Sequence, residues 1–341
     1  MKTLHPTAQS ASAVIMVRPT SFGFNKQTAQ TNSFQHHLSL SQAELRARAE
    51  AEFAAIVAGL RQHDIHVTVF DDPDHAQRKP DAVFPNNWLS TWPDGRVFLY
   101  PMATESRRTE RSFVALQALA ANFRISQVTD LSDTEAYGAY LESTGVIIFD
   151  HQHKLAYGCI SPRCDASLFI SHALALGYQP VSFHAYDDTG VAIYHTNVMM
   201  GVASTTAVIC SEAILDEGER TEVVEALRRS GRQVVEITQA QMASFCGNVL
   251  ELQNAAGELF LAMSQSAFDA FTPQQRARLS HDKTLLPFDI STIETVGGGS
   301  VRCMLGEVFL PHRHTDSFLT APSVYEAGKP ASHRAGRIHS S

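Results

Sequence analysis

The chain has 341 residues, 27 Lys and Arg against 35 Asp and Glu for a formal net charge of −8, and 44% hydrophobic residues. This composition excludes a fibre and a disordered chain, and it leaves room for two or three ordinary domains or one large repeating one. No Lys/Arg-rich run is present. The expected partner is therefore a small molecule, because nucleic acid and anionic membranes both need clustered cations.

Residues 1–12 are polar and small and read as a flexible N-terminal tail. The apolar run from Ala13 to Val17 is too short for a signal-peptide core, and no stretch reaches the ~18 apolar residues of a membrane span. A cytoplasmic location is expected. The clearest helix starts at Ser41, whose hydroxyl caps it while Glu44 completes a capping box, and runs to about Leu60. Further helical patterns lie at 107–122, 166–177, 219–230 and 267–279. Strands are expected at 13–17, 65–70, 82–90, 96–100, 144–149, 154–160, 191–202, 206–210, 233–237, 248–253, 258–262 and 301–310. Residues 313–341 mix Ser, Ala, Pro, Gly and His without a period and read as a flexible C-terminal tail, leaving 13–312 as the ordered chain between the two tails.

Small polar residues recur inside apolar frames at FPNNW (84–88), LESTG (141–145), YHTN (194–197), FCGN (245–248) and SVRCM (300–304). Taking Phe84, Glu142, His195, Cys246 and Cys303 as markers, the gaps are 58, 53, 51 and 57 residues. Units of that length point to repeats stacked around an axis, with polar residues converging there; strands that simply recur in an α/β chain are the alternative.

Five cysteines, at 159, 164, 210, 246 and 303, form no CxxC, so reduced thiols are expected rather than disulfides or a thiolate zinc site. The pairs His36-His37, His151-x-His153 and His312-x-His314 lack HExxH or a third spaced ligand, and no metal is expected. Gly297 to Gly299 are not followed by a Lys-Ser/Thr pair, so no phosphate-bearing cofactor is expected either. Those glycines do build a backbone for close approach just ahead of Cys303. Cys303 is thus the candidate nucleophile, and the other four cysteines read as packing residues. His195, in an apolar strand, must find hydrogen-bond partners and is the candidate acid/base, unless it is a satisfied structural histidine. Glu142 heads another apolar strand, where a buried carboxylate demands a partner. Together they supply nucleophile, proton carrier and orienting acid.

The ordered set VRPTSFGFN (17–25), FPNNW, LESTG, SPR (161–163), YHTN and GGGSVRCM resembles the guanidine-modifying superfamily of arginine deiminases, dimethylarginine hydrolases and amidinotransferases, most of all its citrulline-utilisation hydrolase branch. The resemblance runs over 13–312 and implies an α/β fold, a five-bladed α/β propeller (pentein) with pseudo-fivefold symmetry. It implies Cys303 as nucleophile, His195 as acid/base and Glu142 as the carboxylate beside them. It likewise implies Arg163 and Arg108 as grips for the substrate's α-carboxylate, with a surface position the alternative for Arg108. Asn87 and Asn197 stand where guanidine-binding relatives carry aspartates, and Asn86 and Phe84 accompany them as substrate-contact candidates. Ser143 stands where many relatives have glycine. Residues 18–40, with Phe22 and Asn25, are the candidate covering loop.

A guanidinium offers only donors and favours carboxylates, whereas a neutral ureido group presents both C=O and NH2, which asparagine matches. The expected reaction is therefore hydrolysis of citrulline to ornithine, CO2 and ammonia. Cys303 thiolate adds to the ureido carbon, and a His195 imidazolium protonates the departing amine. The alternatives are an arginine deiminase or dihydrolase, then an amidinotransferase, then a non-enzymatic propeller that binds a large partner. The expected ligand is an amino acid, and a homodimer is compatible with the outer helices.

Overall fold

A computed structural model describes residues 8–72 and 78–313; the expected tails beyond those limits lie outside the described residues. Its strands in chain order are β1 (Ala13–Val17), β2 (His66–Phe70), β3 (Leu89–Thr91), β4 (Arg96–Leu99), β5 (Gln127–Asp130), β6 (Ile147–Asp150), β7 (Leu155–Cys159), β8 (Gln179–Phe183), β9 (Met200–Val202), β10 (Thr206–Ile209), β11 (Gln233–Glu236), β12 (Leu250–Gln253), β13 (Leu259–Ser264), β14 (Thr284–Phe288) and β15 (Gly306–Val308). They form five three-stranded sheets of one design. In each, the middle strand pairs antiparallel with the strand before it in the repeat and parallel with the strand after a crossover, as in β3-β4-β5. The fifth sheet joins the two ends of the domain: β15 runs antiparallel to β1, with Ile15 opposite Gly306, and β1 pairs parallel with β2.

The middle strands are near-continuous apolar runs because they are covered on both faces. AVIMV of β1 and TAVI of β10 are buried throughout. The third strands are edges and carry weaker signals. Sequence patterns miss β5 (QVTD), β8 (QPVSF) and β14 (TLLPF), whose polar residues and prolines an edge tolerates.

The helix from Gln42 to Gln62 forms as expected. The Ser41 hydroxyl accepts from the Glu44 amide and the Glu44 carboxylate accepts from the Ser41 amide, while Leu45, Ala49, Phe53, Ile56 and Leu60 make its buried stripe. The single helix expected at 267–279 is two, Gln265–Ala270 and Pro273–Leu279, because Pro273 forces Thr272 into an extended conformation. The N-terminal tail also ends earlier than expected. Gln9, Ser10 and Ala11 are buried, and the Gln9 side chain donates to the carbonyls of Phe149 and Val202, bridging two sheets.

The five polar frames are not strand interiors. Each makes a short helical turn at the mouth of its sheet, closed by an amide three residues on: Asn87 to Phe84, Gly145 to Glu142, Val198 to His195, Asn248 to Phe245 and Cys303 to Ser300. This corrects the strands expected at 82–90, 144–149, 191–202 and 301–310 to turns followed by short strands. It also moves the repeat markers Cys246 and Cys303 back to Phe245 and Ser300. The repeat places its chemistry on turn residues, where side chains project freely instead of alternating across a sheet.

Candidate active site

The turns and the 18–40 loop meet at a narrow, partly open pocket lined by Thr28, Asn32, Asp81, Phe84, Asn87, Arg107, Arg163, Tyr194, His195, Gly297, Gly298, Gly299 and Cys303. Cys303 sits in the turn Val301–Met304 and is buried. The Asn197 amide lies 3.4 Å and the Asn248 amide 3.3 Å from its sulfur. The glycine run lets the loop before Cys303 pass against other walls. Gly298 has φ +63°, the left-handed region, and a side chain there would strike Asn32 and Gln35 of the covering loop. Asn32 donates to the Gly298 carbonyl at 3.1 Å, and Tyr194 Oη donates to the same oxygen at 2.6 Å.

His195 Nε2 is 2.7 Å from Glu142 Oε2. An ionised carboxylate only accepts, so Nε2 carries the hydrogen and Nδ1 is the free basic position of the neutral ring. Burial alone raises the Glu142 carboxyl, but Arg163, His195 and Arg107 outweigh it and hold it at about 2. Burial pushes His195 down to about 4; Glu142 opposes this, while Arg163 and Arg107 add to it. Burial thus favours the neutral imidazole, whereas the sequence reading starts the reaction from an imidazolium. Ser143, next to Glu142, holds φ +42°, the conformation glycine takes easily. Its hydroxyl donates to the Leu89 carbonyl at 2.8 Å and ties the second turn to β3.

Arg163 Nη2 donates to Thr31 Oγ1 at 2.8 Å and to the Thr28 carbonyl at 3.2 Å, Nη1 lies 3.5 Å from Glu142, and the guanidinium lies over the Tyr194 ring. Arg108 does not reach the cavity: it is partly exposed, pairs with Glu135 at 3.3 Å and donates to the Met102 carbonyl. Its neighbour Arg107 points inward instead, since adjacent positions on a helical turn diverge by about 100° and only one can face in. Arg107 is buried, forks onto Glu110, and donates through Nη1 to Asn87 Oδ1 at 2.6 Å. Asn86 is also off the cavity, its side chain buried without a hydrogen-bond partner. Phe84 lines the cavity as an apolar wall, its ring where side chains on Gly297 and Gly299 would fall.

Asn87 is oriented without ambiguity, because arginine only donates: Oδ1 faces Arg107 and Nδ2 is left as a buried, unpartnered donor. A Cβ on Gly145 would lie 2.4 Å from that Nδ2 and 3.1 Å from the His195 ring, so the second turn needs glycine there. Asn197 Oδ1 is likewise buried and unpartnered.

Sequence reasoning missed Asp81, Arg107 and Asn248. Asp81 is buried in the cavity wall; Oδ2 accepts from Asn25 Nδ2 at 2.8 Å and Thr28 Oγ1 at 3.0 Å, while Oδ1 has no partner. Its signal was a lone carboxylate at the head of DAVFPNNW. Arg107 was indistinguishable from Arg108 before the turn's direction was known, and Asn248 was visible only as part of a repeat marker.

The family model described as N,N dimethylarginine dimethylhydrolase, eukaryotic, matches residues 18–310, and the chain belongs to that family, within the guanidino-modifying pentein superfamily. Three solved structures share its fold. The N-terminal domain of ArgZ, an arginine dihydrolase from the ornithine-ammonia cycle in cyanobacteria, was crystallised as a cysteine-to-serine mutant with substrate. It is 14% identical with a TM-score of 0.65, over 87% of this chain and 99% of that one. AgrE in a ternary complex with ornithine and NAD+ is 15% identical with a TM-score of 0.67, over 90% of this chain and 40% of that one. A dimethylarginine dimethylaminohydrolase, as a histidine-to-glycine mutant adduct with S-methyl-L-thiocitrulline, is 14% identical with a TM-score of 0.58, over 87% of this chain and 99% of that one. The chain likewise spans 40% of the longer apo ArgZ chain. No curated protein sequence matches it. Among the described residues no helix is long and apolar enough to cross a membrane.

Proposed function

We propose that the chain is a cysteine-dependent hydrolase that removes the terminal carbon of an arginine-like amino acid from its δ-nitrogen, yielding ornithine and ammonia, and that its five sheets close into a pseudo-fivefold propeller around this site. The observation that carries the reading is the arrangement along one cavity. Cys303, His195, Arg163, Arg107 and Asp81 all line it, Glu142 is hydrogen-bonded to His195, and one Asp81 oxygen is unpartnered. Arg163 suits an α-carboxylate, and the unpartnered Asp81 oxygen suits an α-ammonium, while Arg107 holds Asn87 in place.

In the cycle, neutral His195 takes the Cys303 proton at Nδ1 as the sulfur adds to the terminal carbon, and the imidazolium returns a proton to the departing nitrogen. His195, neutral again, draws a proton from water, which displaces the sulfur. With arginine, ammonia leaves first and water gives the ureido compound; a second round expels ornithine and leaves a carbamoyl thioester, whose hydrolysis gives carbamate and then CO2 and ammonia. Arginine as the entering compound, the dihydrolase course, is the reading that the family and the likeness to ArgZ and AgrE favour.

One observation favours a second reading, citrulline as the substrate that enters. The Nδ2 donor of Asn87, fixed by Arg107, needs an acceptor, and a ureido oxygen is one where a guanidinium has none. Incubating the pure protein separately with arginine and with citrulline, and measuring ornithine and ammonia, tests both. Ornithine from arginine supports the dihydrolase course, and ornithine from citrulline alone supports the second. No ornithine from either, or turnover that survives Cys303→Ala, overturns the proposal.

A further inference from the structure

The fourth turn ends on Asn248, at the position that Cys303 occupies in the fifth turn and Asn87 in the first, each closing its turn through a backbone amide. Asn248 is fully buried, and its side-chain nitrogen makes two contacts: 2.9 Å to the carbonyl of Asn197 and 3.3 Å to Cys303 Sγ. The carbonyl can only accept, so the atom facing the sulfur is Nδ2 and the amide cannot be reversed without losing that bond. A buried sulfur met by a fixed N–H is stabilised as an anion, because hydrogen bonds to charged acceptors are about twice as strong as to neutral ones. The Asn197 amide, 3.4 Å from the same sulfur, is a second donor, but nothing comparable pins its orientation.

Resting on the reading of Cys303 as nucleophile, we propose that Asn248 is its thiolate-stabilising residue: the fourth repeat contributes a pre-aimed N–H that favours the anion and fixes the direction from which the sulfur attacks. The other charged or titratable groups around the cavity are His195, Glu142, Arg163, Arg107, Asp81 and Tyr194. All of them come from the first three repeats. Asn248 comes from the fourth repeat, and besides the sulfur its Nδ2 meets only the Asn197 carbonyl.

The test is the pH dependence of Cys303 alkylation by iodoacetamide in the full chain, read by mass spectrometry of the Cys303 peptide, with no substrate present. Asn248→Ala is expected to raise the inflection by about one pH unit and slow alkylation near neutral pH roughly tenfold. The isosteric Asn248→Asp, which replaces a donor by an anion, is expected to raise it further. A purely structural role would lower thermal stability and leave the inflection where it is. In the unaltered protein, the Asn248 side-chain N–H resonances should titrate at the alkylation inflection, and should cease to do so in Cys303→Ala. Folded variants with the original inflection, or Asn248 resonances that ignore the sulfur's ionisation, overturn the assignment. Turnover that persists in Cys303→Ala would instead defeat the nucleophile reading, so the two failures are distinct.

Discussion

Replacing Asn87 by aspartate probes the choice between a guanidinium and a ureido group. The native amide accepts from Arg107 at 2.6 Å and leaves a buried N–H beside Gly145 and His195. Asn87→Asp keeps the shape and the acceptor for Arg107, so the new carboxylate is paired and its burial is partly offset. On the pocket side it exchanges a donor for a charged acceptor. A hydrogen bond to a charged partner contributes about 1.5–3 kcal/mol against about 0.5–1.5 kcal/mol for a neutral one. The guanidinium gains the difference, and the ureido oxygen loses its partner and meets a lone pair. About 1–2 kcal/mol in each direction gives a shift of roughly 30-fold or more in the ratio of kcat/KM for arginine to that for citrulline. The assay is ornithine formation from each compound at several concentrations, with thermal denaturation to show that the variant is folded. A folded variant whose ratio stays within about twofold, or moves toward citrulline, would refute the assignment of Asn87 to the reacting end.

Three further outcomes follow from the geometry. Arg108→Ala should leave kcat/KM within about twofold, because its side chain is on the rim, whereas Arg107→Ala strands Glu110 and frees Asn87 and should abolish measurable turnover; equal effects would contradict the inward position of Arg107. Gly145→Ala places a methyl 2.4 Å from Asn87 Nδ2, and should lower kcat about 100-fold at a stability loss of about 1–3 kcal/mol, measured by steady-state kinetics and denaturant unfolding. Burial pushes His195 and His172 down to about 4 and His151 to about 3. Each folded value lies below the unfolded one of 6.5, so the unfolded chain takes up protons first as the pH falls. Their stability contribution is complete above 6.5 and is lost toward 4, by about 2 kcal/mol per histidine at about pH 5; urea midpoints unchanged between neutral pH and about pH 5 would contradict this. Glu142, held at about 2, loses its contribution only in the more acidic range below 4.5.

What the sequence discloses divides by the kind of signal. The Ser41–Glu44 capping box and the apolar middle strands are local patterns, and they form where they are read. The near-even spacing of polar frames is visible too, but its exact register is not: a turn residue and a strand residue carry the same letters, and only the backbone bonds show that Phe245 and Ser300 answer to Phe84, Glu142 and His195. Within the site, Cys303, His195 and Glu142 stand out because polar groups in apolar frames need partners. Arg107 against Arg108 is a question of direction around a turn, and the direction is set by Glu110 three residues on and by Asn87 in the first turn. Asp81 hides for a similar reason: its partners Asn25 and Thr28 belong to a loop more than fifty residues earlier. Long-range pairing of this kind leaves no periodicity to read.

Cys303 and β15 are separated by two residues, and β15 completes the sheet that β1 begins. During synthesis every other residue that lines the pocket therefore leaves the ribosome before the sulfur does. A chain stopped short of residue 303 holds the amides, the imidazole and the arginines but lacks the sulfur proposed to attack the substrate.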